Sequence, residues 1–103
     1  MHVLHLGVFT ITETPVLNEI LQIDGYTSWS SNIICTGVGE YKLNELFVGY
    51  NLSPTCFIRN PDLSKNMTIR MENNYVVLRN YMVSTPTDFE VDDEITMILA
   101  LED

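Results

Sequence analysis

The side chains of this chain with the greatest chemical potential are its carboxylates, its two histidines and its two cysteines. The carboxylates concentrate in "DFEVDDEITMILALED" (88–103), where seven of sixteen residues are acidic and none is basic. Oxygen ligands at alternate positions could hold Ca2+, and an EF-hand loop adds a glycine at its sixth position and a glutamate at its twelfth. With Asp88 first, Glu90 and Asp92 fall at the third and fifth positions, but Asp93 is sixth and Leu99 twelfth. The template fails at both diagnostic positions. The run reads more simply as a solvated turn, a conformation that Asp side chains support.

The other candidates are weaker. His2 and His5 lie three apart, and on a strand that spacing turns the two rings to opposite faces. Together with Cys35 and Cys56 they make four possible zinc ligands, but without the paired short spacings of structural zinc sites. Each cysteine sits in an apolar stretch ("NIICTG", "TCFIRN") and reads as a buried free thiol. Serines and histidines are present, yet no Gly-x-Ser-x-Gly elbow frames a nucleophile. "GVG" (37–39) is half of a phosphate fingerprint, without the helix that must follow. The expectation is a protein that is not an enzyme, with no catalytic residue, metal or cofactor.

The elements that would position these groups read mostly as strands. At 103 residues the chain is expected to form one domain, 1–103. Its 46% hydrophobic and 18% charged content is that of a globular protein. It holds one Ala and one Gln against many Thr, Ile, Val, Tyr and Phe, which favours strands over helices. His2 to Ile11 reads as a first strand, apolar on both faces. "TETPVLNEILQI" (12–23) is the one helix signal, with Thr12 or Thr14 as cap, Pro15 in the first turn and an apolar stripe from Val16 to Ile23. Short strands are expected at 33–36, 46–50 and 55–59. "MTIRME" and "YVVLRNYMV" flank Asn73-Asn74, two residues that tolerate the positive φ of a type I′ hairpin turn. That turn pairs Met71 with Val76, Ile69 with Leu78 and Met67 with Asn80. The expected fold is mainly β, a largely antiparallel β-sandwich or small β-barrel with one short α-helix near 14–23. An α+β arrangement is the alternative.

Charge and context bear on function. The net charge is −9, with four acids and no Lys or Arg in 1–41, five bases and three acids in 42–79, and seven acids and no base in 80–103. Such a chain is repelled by nucleic acid and by anionic membranes, so no direct nucleic-acid or membrane binding is expected. No apolar run approaches the ~20 residues of a membrane span, and "MHVLHLGVFT" lacks the basic segment of a signal peptide. The expected location is a virion or a host cytoplasm. Nine asparagines beside a single alanine suit an AT-rich coding sequence, as in a phage or a low-GC bacterium.

Ile95 to Leu101 puts Ile95, Met97, Leu99 and Leu101 on one face and Thr96, Ile98 and Ala100 on the other. Two strands apolar on both faces are hard to cover within one small domain, so a subunit interface is expected to cover one of those faces. Tyr26 and Trp29 in "GYTSWSSN" are aromatics of the kind enriched at interfaces, with a core plug as the alternative for Trp29. The leading expectation is a non-enzymatic phage or viral structural or assembly protein (a capsid decoration, head–tail or tail component). It would act as a homo- or hetero-oligomer through contacts with other protein subunits. The residues expected to carry those contacts are Tyr26, Trp29, Asp88, Glu90, Asp92, Asp93, Glu94 and Ile98. One alternative is a small acidic inhibitor that displays its carboxylates to a basic host protein as a nucleic-acid mimic. Another is a small-molecule-binding module around Tyr26 and Trp29.

Overall fold

The computed structural model describes residues 2–103. Ten strands follow in chain order: β1 (His2–Ile11), β2 (Ile23–Thr27), β3 (Ile33–Gly37), β4 (Glu40–Leu43), β5 (Asn51–Leu52), β6 (Phe57–Arg59), β7 (Lys65–Glu72), β8 (Tyr75–Met82), β9 (Thr85–Pro86) and β10 (Glu94–Glu102). They make two five-stranded antiparallel sheets packed together as a sandwich. The first sheet runs β2–β1–β10–β5, with β6 also paired to β10. The second runs β3–β4–β8–β7, with β9 paired to β8.

Period-two alternation builds the core. β1 turns Phe9 and Ile11 inward, and β10 turns in Ile95, Met97, Leu99 and Leu101. Ile33, Cys35, Tyr41, Leu43, Val76 and Leu78 meet them from the second sheet. The Tyr41 ring stacks on Phe89 at 4.4 Å between centroids, and its hydroxyl accepts the Phe89 N–H at 2.8 Å. Burial pushes the Tyr41 phenol well above its ordinary range. The β7–β8 hairpin has the expected register, with Met71 opposite Val76, Ile69 opposite Leu78 and Met67 opposite Asn80. Asn73 and Asn74 take φ of 51° and 66°, the left-handed pair that the tight turn requires.

The helix expected near 14–23 is not formed. The chain turns at Val16, where the Glu19 N–H donates to the Val16 carbonyl at 3.0 Å and Asn18 takes φ of 66°. It then runs along the free edge of β3. The Asn18 N–H donates to Cys35 O, the Cys35 N–H to Glu19 O and the Leu21 N–H to Ile33 O, at 2.8, 3.0 and 2.7 Å. A segment this short nucleates a helix at a net cost, whereas an open strand edge offers it partners already in place. Of the apolar stripe Leu21 is buried in the core and Ile23 packs half-buried against it; Val16, Leu17 and Ile20 stay exposed. The strand expected at 46–50 is also absent. That segment is a turn that buries Phe47 through the bond from its N–H to Asn74 O.

One glycine fixes the packing between the sheets. The Trp29 indole lies against Gly7 on the inner face of β1, edge-on to Phe9 with centroids 6.3 Å apart. A Cβ on Gly7 would stand 2.4 Å from the indole Cη2. Gly7→Ala therefore forces the ring or the strand to move. The expected destabilisation is about 1–3 kcal/mol, measured by urea unfolding followed through the fluorescence of that single tryptophan.

Candidate interaction surface

The outer faces of the two sheets differ in kind. On the second sheet Arg79 lies between two carboxylates, bonded to both oxygens of Glu72 and, through Nη2 at 3.2 Å, to Glu40. The Arg79 hydrogen bond holds the Glu72 carboxyl below the usual range. Lys42 sits 4.1 Å from the centre of the Tyr75 ring, and the Thr36 hydroxyl donates to Glu40 at 3.0 Å. This is the polar, solvated side expected of an antiparallel sheet.

The first sheet turns an apolar side outward. β1 directs Leu4, Leu6 and Val8 to solvent, exposed by 62%, 41% and 59%. The β1–β10 register sets Ala100, Ile98 and Thr96 beside them, all half-buried. Tyr26 on β2 lies next to Val8 and is 59% exposed. Phe57 on β6 lies next to Ile98 and is 43% exposed. At those exposures the five large side chains present on the order of 500 Å2 of apolar surface, within the size range of the largest patch on a typical lone protein, which is often functional. Charged groups stand only at its margins: Asp24 and Glu94 beside Thr10 at one end, His2 and Glu102 at the other, and Arg59 at the β6 side. Within the described residues nothing covers this face.

The structure divides the residues that the sequence singled out. Tyr26 and Ile98 lie on the apolar face, and Glu94 lies on its margin. Trp29 does not: its ring is buried in the core, so the plug alternative describes its position. Tyr26 and Trp29 therefore lie on opposite sides of the first sheet and do not form a common pocket. Asp88 is half-buried between loops, where its Oδ1 accepts the Gly39 N–H at 2.8 Å. Glu90 and Asp92 are exposed, and Asp92 occupies the left-handed turn at φ of 74°.

Asp93 corrects the reading of the acidic run as a solvated turn. It is buried, and each of its carboxylate oxygens accepts a bond from Lys65 Nζ at 2.7 Å. Asp93 Oδ2 also accepts the Glu90 N–H at 2.9 Å, closing the turn into β10. Lys65 begins β7, so the pair joins one sheet to the other. Glu90 and Asp62 stand farther from the same ammonium, at 3.8 and 3.9 Å. The Ser64 hydroxyl and amide hold the Asp62 carboxyl low, with the Lys65 charge adding to them. "NPDLSKN" gave no hint of this, because a lysine among turn residues is usually a solvated one.

The remaining candidates stay apart. His2 is exposed, whereas His5 points inward, its ring edge-on to Trp29. Both cysteines are free. Burial raises the Cys35 thiol, and Cys56 Sγ accepts the Ala100 N–H at 3.2 Å. Among the described residues no three His, Cys, Asp or Glu side chains are grouped to hold a metal, and no helix is long and apolar enough to cross a membrane. Sequence reasoning did not name Leu4, Leu6, Val8 or Phe57 as site residues. The doubled apolar faces of β1 and β10 were the signal for the first three; Phe57 carried none. No protein family, no curated protein and no solved structure matches the chain.

Removing one partner of the buried pair strands the other charge. Lys65→Ala is expected to destabilise the fold by about 3–5 kcal/mol in urea unfolding. Lys65→Met combined with Asp93→Asn, which removes both charges and keeps an acceptor for the Glu90 N–H, is expected to restore at least half of that loss.

Proposed function

We propose that this chain is a non-enzymatic assembly protein that works by packing the outer face of its first sheet against another protein subunit. The observation that carries this reading is the contrast between the two outer faces. One is laced with ion pairs and suits water. The other is apolar across four strands and carries its charges only at the rim, the anatomy of a protein–protein interface. The asparagine-rich, alanine-poor composition supports a phage or viral source. A capsid decoration, head–tail or tail component is the kind of part that needs such a face.

The acidic-inhibitor reading finds less support. A nucleic-acid mimic needs its carboxylates free to meet a basic surface. Within residues 88–94, Asp93 is paired with Lys65 and Asp88 is tied to Gly39, which leaves Glu90, Asp92 and Glu94 exposed there; other exposed acids, such as Glu13, Glu19 and Glu45, lie outside that run.

The two readings respond oppositely to salt. Apolar contact persists as salt rises, whereas charge-driven association fades once screening sets in. Sedimentation at low and high salt, paired with pull-downs from infected-cell lysate, separates them. Association is expected to survive high salt and to be lost in Ile98→Glu with circular dichroism unchanged. Association that disappears at high salt, or that Ile98→Glu leaves intact, would overturn the proposal.

A further inference from the structure

We propose that the subunit covering the apolar face is a second copy of this chain, related by a two-fold axis that runs along the β1–β10 seam. This rests on the reading of that face as an interface and names its partner.

The register of the first sheet suits such an axis. The lateral order across the face is β2, β1, β10, β6. A two-fold axis lying in the interface, along the seam, reverses that order and keeps each residue's height. β1 of one copy then lies on β10 of the other, with the same partners at the same level that the sheet itself pairs. Leu6 meets Ile98, Leu4 meets Ala100 and Val8 meets Thr96, so longer side chains face equal or shorter ones. The edges also match, because β2 lies over the partner's β6 and Tyr26 comes to the guanidinium of Arg59, a cation–π arrangement. At one end His2 faces Glu102, and at the other Glu94 faces Thr10, with Asp24 on the next strand. The alternative axis, across the strands, stacks Leu6 on Leu6 and Ile98 on Ile98, and sets Glu94 against Glu102. The seam axis therefore avoids the direct stacking of acid on acid. Aligned sheets pack at about −30°, which tilts the axis by roughly half that angle and leaves the central Leu6–Ile98 row in place.

The area is close to what a stable dimer needs. An apolar surface on the order of 500 Å2 per copy, with the half-buried seam residues and the rim, approaches the ~800 Å2 per partner of a standard interface. The net charge of −9 on each copy opposes association at low salt, but the charged residues of the seam, Glu94 and Glu102, stand at its two ends. Dimerisation is thus expected to strengthen modestly as salt rises.

Two variants test the axis. Leu6→Lys and Ile98→Glu each set an unpaired charge against an apolar partner at two symmetric contacts, and each is expected to weaken dimerisation roughly a hundredfold or more. In the single chain Leu6 is exposed and Ile98 half-buried on the outer face, and urea unfolding of each variant verifies that the fold is kept. Mixed in equal amounts, the two variants are expected to recover a heterodimer at sedimentation equilibrium. One of its contacts is Lys on Glu, and the other is the native Ile98 on Leu6. Failure of the mixture to recover, with both variants folded, would overturn the seam axis. A wild-type chain that stays at its monomer mass of 11.8 kDa while holding a different protein through this face would overturn the second-copy partner and leave the interface reading standing. A wild-type monomer whose contacts ignore this face would overturn both.

Discussion

A two-layer sandwich can cover only one face of each of its sheets. Everything distinctive about this protein follows from how its sequence meets that limit. The second sheet obeys it, with apolar residues inward and an ion-paired network outward. The first sheet places its two longest strands, β1 and β10, side by side and makes both apolar on both faces. The core consumes one set of those residues: Phe9, Ile11 and the odd-numbered residues of β10. The other set faces out. Among the described residues no helix or long loop lies over it, and the segment with the strongest helix signal instead closes the edge of β3.

That closure and the Lys65–Asp93 pair hold the sandwich shut at its margins. The loop of residues 12–22 supplies backbone partners to β3 that would otherwise face water, a usual way of blunting an open edge. The ion pair ties the start of β7 to the turn before β10, and so fixes where the apolar strand enters the first sheet. A buried pair of this kind adds little net stability compared with a well-packed apolar pair. Its effect is to specify one arrangement, since any slip of β10 strands a charge. The acidic cluster and the apolar strand after it are thus one device: Asp93 sets the position of the strand, and the strand carries the face.

What the sequence made legible was local. The β class, the I′ hairpin with its register, and the doubled apolar faces of β1 and β10 all follow from period-two patterns and turn residues within a few positions. What it hid was long-range. Lys65 and Asp93 are 28 residues apart, and each looks solvated in its own neighbourhood. Phe57 joins the apolar face only because β6 pairs with β10. Trp29 looked like an interface aromatic because its loop is polar, and only the vacancy over Gly7 draws it inside. The helix signal over 14–23 was a correct stripe on a segment whose backbone found better partners across the chain.

The proposed assembly covers the outer face of the first sheet. Methyl NMR with a soluble paramagnetic agent measures that cover directly, and the molecule provides its own controls. Val38, Val48 and Val83 are at least as exposed as Leu4, Leu6 and Val8, but lie on turns away from the face. At concentrations where the protein associates, the methyls of Leu4, Leu6, Val8 and Ile98 are expected to be shielded while those of the three control valines are bleached. Equal bleaching of both sets would contradict the proposed assembly.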